Sequence, residues 1–326
     1  MSCKHGGEHP DPQERVLVKM TVSAVAVPVP PNSNLDRSMF VWCGSAGSAG
    51  DPLATDVKMQ ALLNWCANHG VNLLFLDMWG YLGGGNWSTA HVSSMQKFIH
   101  FAHASGIRVY ALAGNTDWGH NQQWVMANII RPLASYNMLS EAVTTNGGSA
   151  FDGLIFDVEY WSAGVGNYTA VEPTGLCDLM LATKRILALP VGCFATQWLA
   201  DGTSGALSFS YNSGPTQLEG LNLMDCADFV AVACYSNNST TQVGMFQNWF
   251  DYASATGEAD NLGLFCGSET GTGLGGQSYW TGAPGALATM ETAHTAISAA
   301  FTAAPNTNAS FRGQCIDPYS SYDQMT

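Results

Sequence analysis

Two acidic side chains, Asp157 and Glu159, end an apolar stretch of the sequence that begins at Gly153. Side chains two positions apart on a β-strand share one face, so a strand here would project both carboxyl groups to the same side. Two buried neighbouring carboxyl groups cannot both ionise cheaply, because burial and like charge raise the pKa of one of them toward neutrality. The pair would then consist of a proton donor beside an anion, as cleavage of a glycosidic bond requires.

The composition limits which side chains can form ion pairs with these acids and which molecules the protein can bind. The 326 residues include 25 Asp and Glu but only 11 Lys and Arg, which gives a formal net charge of −14. An ion pair or a capping role is the structural alternative for Asp157 and Glu159, and the shortage of cations argues against the ion pair. The same shortage predicts no nucleic acid, no anionic membrane surface and no acidic polysaccharide as partner.

Signals for targeting and for cofactors are weak. No window reaches the roughly 18 apolar residues of a membrane helix, which predicts a soluble protein. Segment 22–31 is apolar but broken by three prolines, so it is a poor signal peptide and leaves a secreted or a cytoplasmic location open.

The nine cysteines show neither a Cys-x-x-Cys pair nor zinc-ligand spacing, so we expect reduced core thiols, no metal and no cofactor.

Short apolar runs alternate with longer amphipathic stretches along most of the chain. This alternation predicts a parallel sheet covered by helices, and eight such units close into a single-domain (β/α)8 TIM barrel, with an open doubly wound sheet as the alternative. We expect residues 1–37 to form an N-terminal arm and residues 38–326 to form the barrel. The predicted strands are 39–43, 71–77, 108–113, 153–159, 191–197, 229–235, 262–269 and 311–317, and the clearest predicted helices are 54–68, 88–105, 122–139, 176–187, 241–256 and 287–303.

Polar and aromatic side chains follow these strands at the end where barrel enzymes keep their active sites. Tryptophans there could stack on the apolar faces of sugars, although packing is the simpler role for any one of them. Asp317 and Tyr319 both lie at the end of the eighth predicted strand. The residues predicted to contact substrate are Asp77, Trp79, Asn115, Trp161, Gln197, Trp198, Trp280 and Tyr319.

Segment 151–160 reads FDGLIFDVEY. It resembles the fourth-strand signature Asp-Gly-x-Asp-x-Asp-x-Glu of family 18 glycoside hydrolases, the chitinases and endo-β-N-acetylglucosaminidases. Asp152, Gly153, Asp157 and Glu159 match the signature, whereas Ile155 stands at its middle Asp. In the family that middle carboxyl shares a proton with the third Asp, so the relay lacks one member here.

The resemblance implies a barrel in which Glu159 protonates the leaving oxygen while the substrate's own N-acetyl group attacks the anomeric carbon. It also implies that Asp157 orients the acetamido group and that Tyr235, which matches the tyrosine of the family's sixth strand, hydrogen-bonds it. Ser236 replaces the Asp that usually follows this tyrosine, and the family's eighth-strand tryptophan has no counterpart. The substrate would be a neutral oligosaccharide or polysaccharide containing N-acetylhexosamine, cleaved without metal or cofactor.

Two alternatives stay open at this stage. Glu159 and Glu269, at the ends of the fourth and seventh predicted strands, resemble the acid/base and nucleophile of the large clan of retaining glycosidases, although Val158 stands where that clan has Asn. Glu269 could instead face the helices as an ordinary loop acid. The second alternative is a chitinase-like barrel that binds sugar without turnover, which the change at Ile155 motivates. The oligomeric state is not predicted.

Overall fold

The strands of the protein, seen in a computed structural model, close into one barrel. The structure describes residues 35–83, 87–141, 148–164, 166–202, 204–256, 262–272, 274–279, 285–303 and 310–322. Eight parallel strands pair in the closed order β1-β10-β9-β8-β5-β4-β3-β2, and β6 and β7 form a separate antiparallel hairpin. In chain order the strands are β1 Asp36–Val41, β2 Leu73–Asp77, β3 Arg108–Ala113, β4 Gly153–Phe156, β5 Val191–Thr196, β6 Ser208–Ser210, β7 Thr216–Leu218, β8 Phe229–Ala233, β9 Gly263–Glu269 and β10 Phe311–Asp317.

Helices connect the barrel strands, and two of them begin at hydroxyl caps. The side chain of Thr55 accepts the backbone N–H of Lys58, and Ser88 accepts that of His91, which satisfies amide groups that lack an intrahelical partner. No described helix is long and apolar enough to cross a membrane. The α-helices are α1 Asp56–Asn68, α2 Trp79–Leu82, α3 Thr89–Ala104, α4 Gln122–Val125, α5 Arg131–Glu141, α6 Val171–Leu187, α7 Glu219–Cys226, α8 Ser239–Thr256, α9 Ala286–Thr302 and α10 Tyr319–Tyr322; a π-helical turn, Met126–Ile130, joins α4 to α5.

The predicted (β/α)8 barrel is confirmed, and β3 and β10 have the predicted bounds. The other strand boundaries differ from the predicted ones by up to three residues. The largest differences are at β1, which begins at Asp36 rather than at residue 39, and at β4, which ends at Phe156 rather than at residue 159. The chain leaves β4 because Tyr160–Ala163 forms a turn of 3-10 helix directly beyond it. The predicted N-terminal arm lies outside the described residues except for 35–37.

The crossover from β5 to β8 is more ordered than expected. The sequence predicts a glycine-rich loop at 202–214, but the β6–β7 hairpin begins within this stretch and α7 follows it. Asn222 of α7 donates its side-chain N–H to the carbonyl of Phe209, with 3.1 Å between the nitrogen and the oxygen, which ties the hairpin to the helix. The crossover that follows the carboxyl end of β5 therefore has regular structure.

Aromatic rings fill the barrel interior. Phe75 of β2 lies 6.1 Å from Tyr110 of β3, and Tyr110 lies 5.3 Å from Phe229 of β8, measured between ring centroids. Phe229 in turn lies 6.1 Å from Phe265 of β9. Burying each such ring stabilises the fold by about 2 kcal/mol. Because strand side chains alternate, residues an even number of positions further along also face the barrel axis, and this places Asp77, two positions after Phe75, at the carboxyl end.

A close approach of two backbones determines where Asp157 lies. The amide of Asp157 donates to the carbonyl of Ala113, so pairing with β3 continues one residue beyond β4. A Cβ atom added to Gly114 would stand 1.7 Å from the backbone oxygen of Asp157, closer than any side chain allows. Glycine at position 114 therefore lets the strand-4 acid sit against the end of β3.

The eight described cysteines are buried and form no disulfide with one another, in line with the predicted core thiols. Within the described ranges, no three His, Cys, Asp or Glu side chains are grouped so that they could hold a metal ion.

Candidate active site

Besides Asp77, four carboxyl groups lie at the carboxyl end of the barrel: those of Asp157, Glu159, Glu269 and Asp317, called the mouth carboxyls below. Glu269 and Asp317 are direct partners in the ladder between β9 and β10. Burial, followed by the charges of Glu159 and Asp317, raises the pKa of Asp157 well above its usual range. The charge of Asp317 thus acts on Asp157, Glu159 and Glu269, and the charge of Glu159 acts on Asp157.

Asp317 has a hydrogen-bond donor on each carboxylate oxygen. The indole N–H of Trp42 donates to Oδ1 at 3.2 Å, and the hydroxyl of Tyr235 donates to Oδ2 at 2.9 Å. Burial raises the pKa of Asp317 above its usual range, and these two hydrogen bonds offset only part of that rise. Both donors favour the ionised form of Asp317, because a charged carboxylate oxygen accepts a hydrogen bond more strongly than an oxygen of the neutral acid.

Glu269 is buried at the end of β9. Burial and the charge of Asp317 raise the pKa of Glu269 to about 7, although backbone N–H groups at Gly271 and Thr270 favour its ionised form. Gly271 donates to its Oε1. The sequence left both orientations of Glu269 open. Glu269 lies four positions after Phe265, whose ring faces the barrel interior, and it is the register partner of Asp317, so its side chain faces the mouth rather than the helix layer.

Asp157 and Glu159 follow β4 and differ in their surroundings. The Oδ1 atom of Asp157 is buried and has no hydrogen-bond partner among the described residues. Glu159 is half-buried, and burial followed by the charge of Asp317 raises its pKa. Asp157 therefore presents a buried oxygen without a partner, while Glu159 presents a carboxyl group that solvent reaches in part and that holds its proton longer than a free Glu.

No ion pair between described residues involves a mouth carboxyl. The structural alternative of an ion pair for Asp157 and Glu159 is therefore not seen in this part of the chain. Since unpaired buried acids are costly, their grouping is typical of a functional site. The ion pairs in the described ranges are Arg37–Glu291, Lys97–Asp56, His103–Asp152, Arg108–Asp36, His120–Glu172 and Lys184–Asp228.

A buried acid outside the mouth holds the segment that follows Glu159. Glu219 of α7 is fully buried and accepts the hydroxyl of Tyr168 at 2.7 Å and that of Tyr160 at 3.2 Å. The backbone N–H of Leu207 donates to the same carboxyl at 3.0 Å. Glu219 thereby fixes Tyr160, the residue next to Glu159. Nothing in its sequence surroundings marks it, because its partners come from two other loops.

Two of the predicted residues, Asp77 at the second strand and Asn115 after the third, have polar contacts of their own. Asp77 accepts backbone N–H groups from Trp79 at 2.9 Å, Gly44 at 3.2 Å and Cys43 at 3.3 Å, so its carboxylate orders the loops after β1 and β2. Asn115 accepts the amide of Asp117 at 3.4 Å. Both side chains are engaged in local loop structure at the mouth.

Trp79 belongs to a tryptophan cluster with Trp118 and Trp124. Its ring lies 6.0 Å from Trp118 and 5.8 Å from Trp124. Trp118 is buried and packs edge-on against Phe156, the residue before Asp157, whereas Trp79 and Trp124 are 37% and 42% exposed. The cluster therefore runs from Phe156, whose side chain lies on the face of β4 opposite to Asp157, to the surface. Trp124 was missed by the sequence analysis because it lies within α4 rather than at a strand end.

The remaining predicted contact residues are more enclosed. Trp161 is buried and packs edge-on against Tyr160, which leaves little of its ring for a ligand. Trp198 is partly buried against the core, as is Tyr319 at the start of α10. The backbone oxygen of Gln197 accepts the indole N–H of Trp249, and its side chain accepts the hydroxyl of Thr196. Trp280 lies outside the described residues.

Comparisons with known proteins add the fold but no family. No protein-family model matches the sequence, and no curated protein matches it. A GH18 chitinase from Pseudoalteromonas aurantia is similar in structure, with a TM-score of 0.51 and 12% identity over 88% of this chain and 95% of that chain. A GH5_18 protein from Streptomyces cattleya in complex with GlcNAc has a TM-score of 0.53 and 12% identity over 87% of this chain and 71% of that one.

A GH1 β-glucosidase from the fungus Humicola insolens, in complex with glucose, has a TM-score of 0.50 and 11% identity over 87% of this chain and 88% of that chain. These three structures share the barrel fold with this chain. At these identities the likeness is one of fold, and the chemistry of this chain has to be argued from its own residues.

Proposed function

We propose that this protein is a glycoside hydrolase that cleaves a neutral glycan containing N-acetylhexosamine, with Glu159 as its general acid. The observation that carries the proposal is the group of mouth carboxyls, none of which forms an ion pair within the described ranges. Acids with raised pKa values beside an ionised one supply a proton and stabilise the positive charge that develops on the sugar ring.

Glu159 is the best placed proton donor. Its carboxyl is half-buried, so a glycosidic oxygen can reach it, and its raised pKa keeps the proton in place at higher pH than in a free Glu. In the proposed step this proton moves to the glycosidic oxygen as the bond from that oxygen to the anomeric carbon breaks. The acetamido oxygen of the same sugar bonds to the anomeric carbon, and water later opens this cyclic intermediate and returns a proton to Glu159.

Asp157 and Tyr235 are proposed to position the acetamido group. The buried Oδ1 of Asp157, which has no partner among the described residues, suits an acceptor for the acetamido N–H. The hydroxyl of Tyr235 donates to Asp317, so its oxygen can contact the acetamido group as a second acceptor for the same N–H. These roles follow the resemblance of segment 151–160 to family 18.

Charge and aromatic surface support the choice of a neutral glycan. The net charge of −14 disfavours anionic substrates, and the exposed rings of Trp79 and Trp124 offer apolar faces on which sugars stack. Two structures with the same fold are named for a chitinase and for a complex with GlcNAc. The N-acetylhexosamine itself rests on the resemblance of segment 151–160 to family 18.

The protonation of Glu269 favours substrate assistance over an enzyme nucleophile. A carboxylate that attacks the anomeric carbon has to be ionised, and a pKa of about 7 leaves Glu269 mostly protonated below neutral pH. One of its oxygens also accepts the amide of Gly271. The retaining mechanism with Glu269 as nucleophile therefore ranks second.

The test compares wild type with Glu159→Gln on oligomers of N-acetylglucosamine, with reducing ends counted for turnover and calorimetry for binding. Gln keeps the size of the side chain but cannot protonate the leaving oxygen, so turnover should fall by about 10² to 10⁴ while binding survives. Glu291→Gln is the matched control, because Glu291 pairs with Arg37 at the start of β1, the end of the barrel opposite to the mouth.

Near-normal turnover in Glu159→Gln would remove Glu159 as the acid. Binding by the wild type without turnover would favour the sugar-binding barrel instead. Failure of the wild type to bind or cleave any neutral N-acetylated glycan would overturn the substrate class.

A further inference from the structure

We propose that Asp317 is a positioning residue that stays ionised at the mouth and keeps protons on Glu269, Glu159 and Asp157. It would supply from the eighth strand the carboxyl that the fourth strand lacks at Ile155. The contribution of Asp317 to turnover rests on the proposed function, whereas its effect on the protonation of its neighbours does not.

The ladder places Asp317 beside Glu269. The two residues are partners in register between parallel strands, where neighbouring chains run about 4.8 Å apart. Residues in register on adjacent strands face the same side of a sheet, so the two carboxyl groups are close enough that both cannot ionise freely. One member of this pair has to carry the charge and the other the proton.

The hydrogen bonds select Asp317 as the charged member. An indole N–H can only donate, so Trp42 demands an acceptor at Oδ1, and the hydroxyl of Tyr235 donates to Oδ2. Glu269 receives its donors from the backbone of its own loop, and Oδ1 of Asp157 has none among the described residues. Among the mouth carboxyls, Asp317 is thus the one that accepts hydrogen bonds from two side-chain donors in the described ranges, Trp42 after β1 and Tyr235 after β8.

The other titratable groups around Asp317 are all acids. Its charge raises the pKa of Asp157, Glu159 and Glu269, in each case after burial. No Lys, Arg or His in the described ranges pairs with it. The remaining titratable groups are Tyr235, Cys315 on β10 and Tyr319 at the start of α10, and burial raises the pKa of the first two.

Asp317→Asn removes the charge and keeps an oxygen that can accept the indole N–H of Trp42. Without this charge, Glu269 and Glu159 should release their protons at lower pH, by about one pH unit. The pH at which activity falls on the alkaline side of the profile should decrease by a similar amount, because Glu159 loses the catalytic proton at lower pH. A residue that only held the fold would change the rate without shifting this pH.

Two readouts separate the inference from the proposed function. Side-chain carboxyl resonances in ¹³C NMR follow the titration of Glu269 without any substrate, and the pH profile follows turnover. We expect Glu269 to titrate at lower pH in Asp317→Asn, whereas Asp228→Asn, a carboxylate paired with Lys184, should leave it unchanged.

An unchanged titration of Glu269 in a folded Asp317→Asn protein would overturn the inference. A shifted titration in a protein that cleaves no glycan would overturn only the proposed function. If Asp317→Asn does not fold, Trp42→Phe serves instead, because it removes one donor at an exposed position and should make Asp317 titrate at higher pH. An unchanged titration of Asp317 in that variant would equally refute its selection as the charged member.

Discussion

Replacing Glu269 with Gln should stabilise the folded protein above neutral pH. In the folded state burial and the charge of Asp317 raise the pKa of Glu269 from 4.5 to about 7. A group that holds its proton more tightly in the folded than in the unfolded chain makes folding less favourable as pH rises between those two values. Gln carries no such proton, and its side-chain oxygen can still accept the amide of Gly271.

The size of the effect follows from that rise in pKa. At about 1.4 kcal/mol for each pH unit, the full difference amounts to about 3 kcal/mol. Screening by solvent at the end of the barrel reduces this to about 1 to 2 kcal/mol. Each kcal/mol shifts the Tm of a domain of this size by about 2 °C, so Glu269→Gln should melt about 2 to 4 °C above wild type at pH 9. At pH 4 both proteins carry a neutral side chain at position 269 and should melt together.

Calorimetry from pH 4 to pH 9 at constant ionic strength measures this difference. Glu172→Gln is a control of opposite sign. Burial raises the pKa of Glu172, but hydrogen bonds from Thr169 and His120 outweigh that effect and lower it. Its replacement should therefore cost stability above pH 4.5, and the loss should fade as pH falls.

Parallel Tm curves for wild type and Glu269→Gln across this range would refute the reasoning. They would mean that Glu269 is already ionised at neutral pH. The argument against Glu269 as a nucleophile would then fail as well.

Two further predictions concern turnover. Asp157→Ala should lower the turnover of N-acetylated glycans far more than Glu269→Ala, because the proposed reaction takes its nucleophile from the substrate. If azide restores turnover of Glu269→Ala on a sugar without an acetamido group, Glu269 is the nucleophile instead. Trp124→Ala should raise the KM for oligosaccharides about fivefold with little change in kcat, since a stacked ring contributes about 1 kcal/mol. Trp87→Ala, which removes an exposed indole outside the tryptophan cluster, is the control, and an unchanged KM in Trp124→Ala would take the cluster out of the substrate path.

The barrel was predictable because its signals are local. Apolar runs of strand length alternate with helical periodicity, and where a run ends sharply, as at 108–113 and 311–317, the predicted and observed strands coincide. β4 was predicted too long because Asp157, Val158 and Glu159 continue the alternation of polar and apolar residues after the ladder has ended. Periodicity does not distinguish a strand from an extended segment that follows it.

The site was predictable only in part, because its contacts join distant segments. Asp157, Glu159 and Glu269 were recognised from their positions after apolar runs. The donor to Asp317 from Trp42 depends on the closure of the barrel, which brings β1 next to β10 across 275 residues of sequence. Glu219 lies 59 residues from Tyr160, and no periodic pattern links them.

The change at Ile155 shows why a local motif can mislead about charge. Ile155 is fully buried, and its register partners, Leu112 and Gly192, offer no polar side chain to an acid. An unpaired carboxyl buried there would be costly. One layer higher, Asp317 has donors from Trp42 and Tyr235 and can carry charge. The family 18 signature has a carboxylate on the fourth strand at the position of Ile155. In this protein we expect the charge on Asp317 of the eighth strand, because closure of the barrel brings its hydrogen-bond donors next to it.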